Sequence, residues 1–367
     1  MRYPEFLKEN GTIGYVAPSF GLADPFRLAG FNHARERFAR EGYGEKLGPN
    51  CFAAEGIGIS NTPEKCAEEL ENFYCDEECD ALISCGGGEL MCETISQLDL
   101  ERIKAANPKW YMGYSDNTNF TFLLATIFDT ASIYGPCVRS FGMEPRPKSI
   151  QDAFDLMTGK IREVAGYEKW QQGENPEEET NPLAPYFLNT EKVLKAWMPD
   201  PEKQGVGAKK EEKGGIWLDD CRQWNGKLEM EGRLIGGCMD CLVNLLGTRF
   251  DHVREFLERY REDGFIWFLE ACDLSVFAVR RAMWQMEEAG WFRYVKGFLI
   301  GRPLLYGQEM MGLDMYEAVL PVARKHQVPI IMDMDLGHLP PAMPIVCGSS
   351  GKVALCGNDI RISFSYR

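Results

Sequence analysis

The chain has 367 residues, 45% hydrophobic and 26% charged, an ordinary globular balance with enough apolar material for one very large domain or two. Its formal net charge of −15 argues against nucleic acid and anionic membrane surfaces as main partners. No apolar run reaches the length of a membrane span, and the first residues lack the apolar stretch of a secretory leader, so a cytoplasmic location is expected.

The thirteen cysteines are scattered, mostly inside apolar runs, as buried reduced thiols would be. Cys75 and Cys79 are closely spaced, and so are Cys238 and Cys241. Neither pair has the second pair or the clustered histidines of a zinc site, so no metal is expected. There is no dinucleotide-binding glycine fingerprint and no P-loop, so no nucleotide cofactor is indicated.

In chain order, residues 12–19 form an apolar run ending in Pro18-Ser19, a predicted strand. Residues 25–41 have helical spacing (Phe26, Leu28, Phe31, Ala34, Phe38), closed by Gly42 and Gly44. A weak strand is predicted at 45–48. Thr62-Pro63 is a cap followed by a proline at the first helical position, and Ala67, Leu70 and Phe73 give that helix its apolar face. Residues 81–85 are a buried strand running into Gly86-Gly87-Gly88. Residues 90–95 and 100–106 read as helical. Residues 109–114 predict a short buried strand, and Asn117 or Thr118 caps a helix running to Thr130. Ser115 then stands on a sharp strand-to-helix turn, its hydroxyl above the sheet edge near the positive end of the helix. A structural serine in an ordinary turn has the same local pattern.

Strands apolar on both faces, alternating with helices, imply a parallel sheet covered on both sides, a doubly wound α/β domain over residues 1–145. Ligands bind such sheets beyond the carboxyl ends of the strands, where both the glycine loop and Ser115 lie. Residues 146–231 form a connecting region. A helix is predicted at 150–158, and the polar runs Glu177-Glu178-Glu179 and Lys209–Lys213 look solvated. Trp170, Tyr186, Trp197, Trp217 and Trp224 are interleaved with them, either lying over a pocket or anchoring the linker.

A second domain covers 232–367. It opens on Gly232-Arg233-Leu234-Ile235-Gly236-Gly237. Strands are predicted at 265–270, 296–301 and 329–333, helices at 238–246, 275–289 and 315–325, and a closing hairpin around Gly357-Asn358. Glu270 ends a strand, and His338 sits in a Gly/Pro-rigid loop after another. A serine nucleophile needs a base within hydrogen-bond reach, and a carboxylate to orient that base. Ser115, Glu270 and His338 supply the three types. The other histidines, His33, His252 and His326, read as surface residues. The oxyanion donors would be the backbone N–H groups of Asp116 and of the glycine loop at Gly87 and Gly88. A thiol enzyme using Cys85 is a weaker alternative, and a non-catalytic binding module is the rival of another class.

Seven stretches together resemble the LD-carboxypeptidase family of serine peptidases over almost the full length: Val16-Ala17-Pro18-Ser19, Ser84-Cys85-Gly86-Gly87-Gly88, Gly113-Tyr114-Ser115-Asp116-Asn117-Thr118, Gly232 to Gly237, Phe268-Leu269-Glu270, Gly301-Arg302-Pro303 and Gly337-His338. The resemblance implies Ser115 as nucleophile, Glu270 as acid, His338 as base and an oxyanion hole at Asp116 and the glycine loop. It implies a flavodoxin-like N-terminal domain, a mostly β (swivelling β/α) C-terminal domain and a homodimer. One branch releases the terminal D-alanine of murein tetrapeptides. The other, similar to microcin C immunity proteins, cleaves the amide joining an amino acid to a modified nucleotide. The long aromatic and acidic insertion at about 170–224 is similar to the second branch, where such a loop helps to close over the substrate. The elbow here reads Gly-Tyr-Ser-Asp-Asn, so it does not match the α/β-hydrolase elbow; only the order of the three residues is shared.

Overall fold

The computed structural model describes residues 1–199 and 214–366. The predicted solvated run Lys209–Lys213 lies outside the described residues.

The first half supplies five strands of a six-stranded sheet. Its elements are β1 (Thr12–Val16), α1 (Pro25–Arg40), β2 (Gly44–Leu47), α2 (Pro63–Cys75), β3 (Ala81–Ser84), α3 (Met91–Ser96), α4 (Leu100–Ala105), β4 (Trp110–Gly113), α5 (Thr118–Thr126), β5 (Ser132–Tyr134) and α6 (Lys148–Met157). The parallel strands run in the order β2-β1-β3-β4-β5, the flavodoxin-like arrangement. Helix starts follow their caps. Asp24 accepts from the Arg27 N–H ahead of Pro25, and Thr62 accepts from the Lys65 N–H ahead of Pro63.

Two local expectations needed correction. Asn117 does not cap α5: its side-chain amide donates to the carbonyls of Gly86, at 2.8 Å, and Tyr114, at 3.1 Å. The helix also stops at Thr126 rather than Thr130, because Asp129 takes a left-handed φ of 53° and turns the chain toward β5.

The rest of the chain gives β6 (Glu163–Ala165), β7 (Lys169–Trp170), β8 (Thr190–Glu191), β9 (Lys195–Pro199), β10 (Gly215–Leu218), β11 (Lys227–Cys238), α7 (Met239–Leu245), α8 (Val253–Arg259), β12 (Phe265–Glu270), α9 (Val276–Glu288), β13 (Val295–Gly301), α10 (Met315–Ala323), β14 (Ile330–Met334), β15 (Ile345–Cys347), β16 (Ser350–Cys356) and β17 (Asp359–Ser365). A nine-stranded sheet runs β10-β9-β14-β13-β12-β11-β16-β17-β6. Its centre, β11 to β14, is parallel, and its flanks are antiparallel. The second domain is thus sheet-rich with a parallel centre. The connecting stretch supplies β6, β9 and β10 to this sheet, while β15 crosses back and pairs antiparallel with β5 of the first.

Helix α5 is buried along its whole length between the two sheets. Its Phe122 stacks on Trp291 with ring centroids 5.6 Å apart, and Trp291 stacks on Trp267 of β12 at 5.8 Å. Burying each such ring stabilises by roughly 1.5–3 kcal/mol, so the interface has the character of a core. Of the interleaved aromatics, Trp197 and Trp217 face each other across β9 and β10, Trp170 packs on Tyr306, and Trp224 packs against the core. Tyr186 faces a cavity beside the candidate site. Among the described residues no helix is long and apolar enough to cross a membrane.

Candidate active site

Strand β4 ends at Gly113, and Ser115 takes a left-handed φ of 61°. For a residue with a Cβ this costs about 1–3 kcal/mol, and it persists only where surrounding contacts over-determine it. Those contacts come from the next two residues. The buried Asp116 carboxylate accepts from Ser19 Oγ at 2.6 Å, from the Met91 N–H at 2.9 Å and from Asn119 Nδ2 at 2.9 Å. Burial pushes the Asp116 carboxyl up, and these donors pull it back only in part. With Asn117 on Gly86, the elbow is stapled to the glycine loop. Gly87 comes so close that a Cβ on it would lie 3.2 Å from Ser115 Oγ, whereas Gly88 faces Ser19 and Gly58.

Glu270 ends β12 and is 1% exposed. Its register partner on β11 is Cys238, which follows Gly236 and Gly237, both with φ near +150° (149° and 146°). A side chain at Gly236 would run into the Phe268 carbonyl, and one at Gly237 into Thr118 at the start of α5. The close approach of β11 to the elbow therefore requires glycine.

His338 follows β14 on a loop held by a buried ion pair. Arg302, just past β13 and 1% exposed, pairs with the fully buried Asp335 and donates to the Asp333 carbonyl at 2.6 Å. The other Asp335 oxygen accepts the Tyr167 N–H at 2.8 Å. Gly337, at φ 99°, lets the loop pass over Glu270; a Cβ there would sit 2.6 Å from Glu270 Oε2.

The three side chains meet. His338 Nε2 lies 2.8 Å from Ser115 Oγ, and His338 Nδ1 lies 3.0 Å from Glu270 Oε2. The second Glu270 oxygen accepts from Tyr134 Oη at 2.5 Å, and the same phenol oxygen accepts the Ser115 N–H at 3.3 Å. Burial alone would lower the His338 pKa, but the Glu270 carboxylate and the Cys272 thiol outweigh it and hold the imidazole well above its ordinary value. Burial would raise Glu270, and the facing imidazole with the Tyr134 hydroxyl brings it below the usual carboxylate value. A base poised against a buried carboxylate, with a hydroxyl on its other nitrogen, can take the proton of that hydroxyl.

The other histidines are elsewhere. His33 contacts the Gly142 carbonyl at 2.7 Å, His326 contacts Glu287 at 2.7 Å, and His252 is exposed ahead of α8. Cys85 is 1% exposed, and burial pushes its thiol up, the opposite of what a thiolate nucleophile needs. Three cavities surround the elbow. One of about 370 Å³ is lined by Tyr114, Tyr186, Glu178, His338 and Met343 among others. One of about 180 Å³ lies along Gly86 and Gly87, and one of about 260 Å³ includes Ser115, Cys272 and His338. The Tyr134–Glu270 and Arg302–Asp335 contacts have no local sequence signal, because each joins residues more than thirty apart in the chain.

The sequence matches the LD-carboxypeptidase N-terminal domain over residues 13–135 and the LD-carboxypeptidase C-terminal domain over residues 231–353. The chain belongs to the LD-carboxypeptidase family. Within this family it is 25% identical to the Microcin C7 self-immunity protein MccF of Escherichia coli, over 84% of this chain and 80% of that protein. It is 21% identical to a protein of Vibrio cholerae named as a carboxypeptidase, over 96% of this chain and 95% of that one. The structure of MccF in complex with aspartyl sulfamoyl adenosine superposes with a TM-score of 0.74 at 22% identity, covering 99% of this chain and 98% of MccF. An MccF-like protein of Bacillus anthracis superposes at 0.74 and 20% identity over 100% of both chains. One from Streptococcus pneumoniae, in complex with AMP, superposes at 0.71 and 19% identity, over 97% of this chain and 99% of that one. The LD-carboxypeptidase family fold is thus a flavodoxin-like domain joined to a sheet-rich one, as in this chain.

Proposed function

We propose that this protein is a serine hydrolase that cuts an amide bond through an acyl-enzyme. Ser115 is the nucleophile, His338 the general base and then acid, and Glu270 the group that orients the imidazole and stabilises its protonated form. The carrying observation is the unbroken run of short contacts from Ser115 Oγ through His338 to Glu270. Ser115 Oγ bonds to the carbonyl carbon as its proton passes to His338 Nε2. The backbone N–H groups of Asp116 and of Gly87 or Gly88 receive the negative charge on the carbonyl oxygen. The C–N bond then breaks and the amine leaves with the proton from His338. Water, deprotonated by the same imidazole, releases the acid and restores the serine.

An aminoacyl-nucleotide amide is the favoured substrate. MccF has been captured with aspartyl sulfamoyl adenosine and with glutamyl sulfamoyl guanosine, and this chain shares its fold over nearly the full length. The second reading is release of terminal D-alanine from a murein tetrapeptide, supported by the family's name and the carboxypeptidase-named relative. A non-catalytic binder of such ligands is the rival from another class. The thirteen unpaired thiols suit a reducing cytoplasm, and a homodimer is the expected assembly.

The test is a side-by-side assay of an aminoacyl sulfamoyl adenosine and a murein tetrapeptide with the native protein and Ser115→Ala. Native protein should cleave one of them, and the variant should fold normally yet lose roughly a thousandfold or more in kcat. A variant that keeps most of the activity would remove Ser115 from the nucleophile role, and a native protein inert toward both would favour the binding module.

A further inference from the structure

The two smaller cavities flanking Ser115 carry opposite charge. The 260 Å³ cavity has four carboxylates on its wall, Glu89, Asp116, Asp240 and Asp273. The 180 Å³ cavity along Gly86 and Gly87 has no acidic residue; its charged groups are Arg27 and Arg139. Among the described residues, neither guanidinium has a carboxylate within ion-pair distance or makes a side-chain hydrogen bond. Most other arginines among the described residues do one or the other, as expected where carboxylates outnumber cations by 55 to 40.

Arg139 is half-buried and held in place, whereas Arg27 is exposed. The stem of Arg139 packs on α1, with its Cγ 3.1 Å from where a Cβ on Gly30 would lie, and its guanidinium sits 5.9 Å from the Phe26 ring centre. Arg139 also borders the 370 Å³ cavity, so it stands at the junction of the two spaces. Arg27 lies in the first turn of α1, which holds no acidic residue. A cation at the positive end of a helix is unfavourable by itself, and an anion shared with Arg139 reverses that sign. Gly87 abuts Ser115, so this cavity opens within a few bonds of the reacting carbon.

We infer that the Arg27–Arg139 cavity is the specificity subsite for an anionic group lying a few bonds from the scissile amide, and that the carboxylates of the opposite cavity exclude that group from the other side. The inference rests on the amidase reading for the placement of the scissile bond. Two chemistries meet the description: the free carboxylate of a terminal D-amino acid, and the ionised acyl sulfamate or acyl phosphoramidate that joins an amino acid to a nucleoside. Guanidinium is suited to both, since each offers two oxygens to its planar fork.

The experiment measures binding to the Ser115→Ala protein, which does not depend on turnover. Two matched probe pairs are titrated: a murein tetrapeptide and its C-terminal amide, and glutamyl sulfamoyl adenosine and its analogue with an uncharged linker. The expected result is a preference for the anionic member of at least one pair of about tenfold or more, the size of a charge-assisted contact. That preference is largely lost in Arg139→Gln, partly kept in Arg139→Lys, and reduced in Arg27→Gln, while affinity for the neutral member is unchanged. The pair showing the arginine-dependent preference identifies the source of the anion. No preference in either pair, or a preference that survives Arg27→Gln with Arg139→Gln, overturns the inference. Such a result leaves the nucleophile assignment standing, because that rests on turnover of the native protein.

Discussion

Tyr134, at the end of β5, donates its phenol proton to Glu270, at the end of β12, over 2.5 Å. A residue of the first sheet thus orients a carboxylate of the second, and the same oxygen receives the Ser115 N–H. Tyr134 touches no reacting atom, so it is a positioning residue. Tyr134→Phe removes one donor from a buried carboxylate and should destabilise the fold by about 1–3 kcal/mol. It should also lower kcat by about tenfold or more, with KM nearly unchanged. An unchanged kcat would show that Glu270 is held well enough by His338 alone.

The pH dependence follows from the His338 environment. Its folded pKa lies well above the ordinary histidine value, and the base must be neutral to accept the Ser115 proton. The rate should therefore rise with pH, along a limb centred above about 6.5. Burial lowers this pKa and the Glu270 charge is the first cause that raises it, so Glu270→Gln should move the imidazole titration to lower pH. Imidazole NMR reads this shift even where the variant is nearly inactive. A titration that stays in place, or moves upward, would contradict the assignment.

The Arg302–Asp335 pair predicts a stability effect away from the reacting atoms. Both side chains are almost fully buried, so Arg302→Met leaves an uncompensated carboxylate beneath the His338 loop. Breaking one partner of such a pair costs about 3–5 kcal/mol. Chemical denaturation should show the loss, and Arg302→Met with Asp335→Leu should recover part of it. If the single variant were as stable as the native chain, the pair would not be what anchors this loop.

Much of the architecture is legible because its causes are local. The strand ending at Glu270 declares itself by six consecutive residues, all buried, and the Thr62-Pro63 start of α2 by cap chemistry. Ser115, Glu270 and His338 could be picked out because each stands at or just beyond the end of a buried strand. Of the two cap candidates, Asn117 and Thr118, local spacing cannot exclude Asn117, because the Gly86 carbonyl that takes its side-chain amide is thirty-one residues away in the chain. The partners of Tyr134 and Arg302 are hidden for the same reason: Arg302 stands in the Gly301-Arg302-Pro303 stretch, yet neither it nor a tyrosine at a strand end names its partner until the fold supplies it. The unpaired state of Arg139 is likewise invisible in one dimension, since it consists of the distance to every carboxylate at once.

Strand β15 spans only three residues, yet it carries a consequence for biosynthesis. It seals the exposed edge of β5 with residues 345–347, which leave the ribosome after more than nine tenths of the chain. Throughout translation the early lobe must carry a bare strand margin able to pair with neighbouring nascent chains. Polypeptides truncated before residue 345 should therefore be aggregation-prone even though every other strand of that lobe has been made.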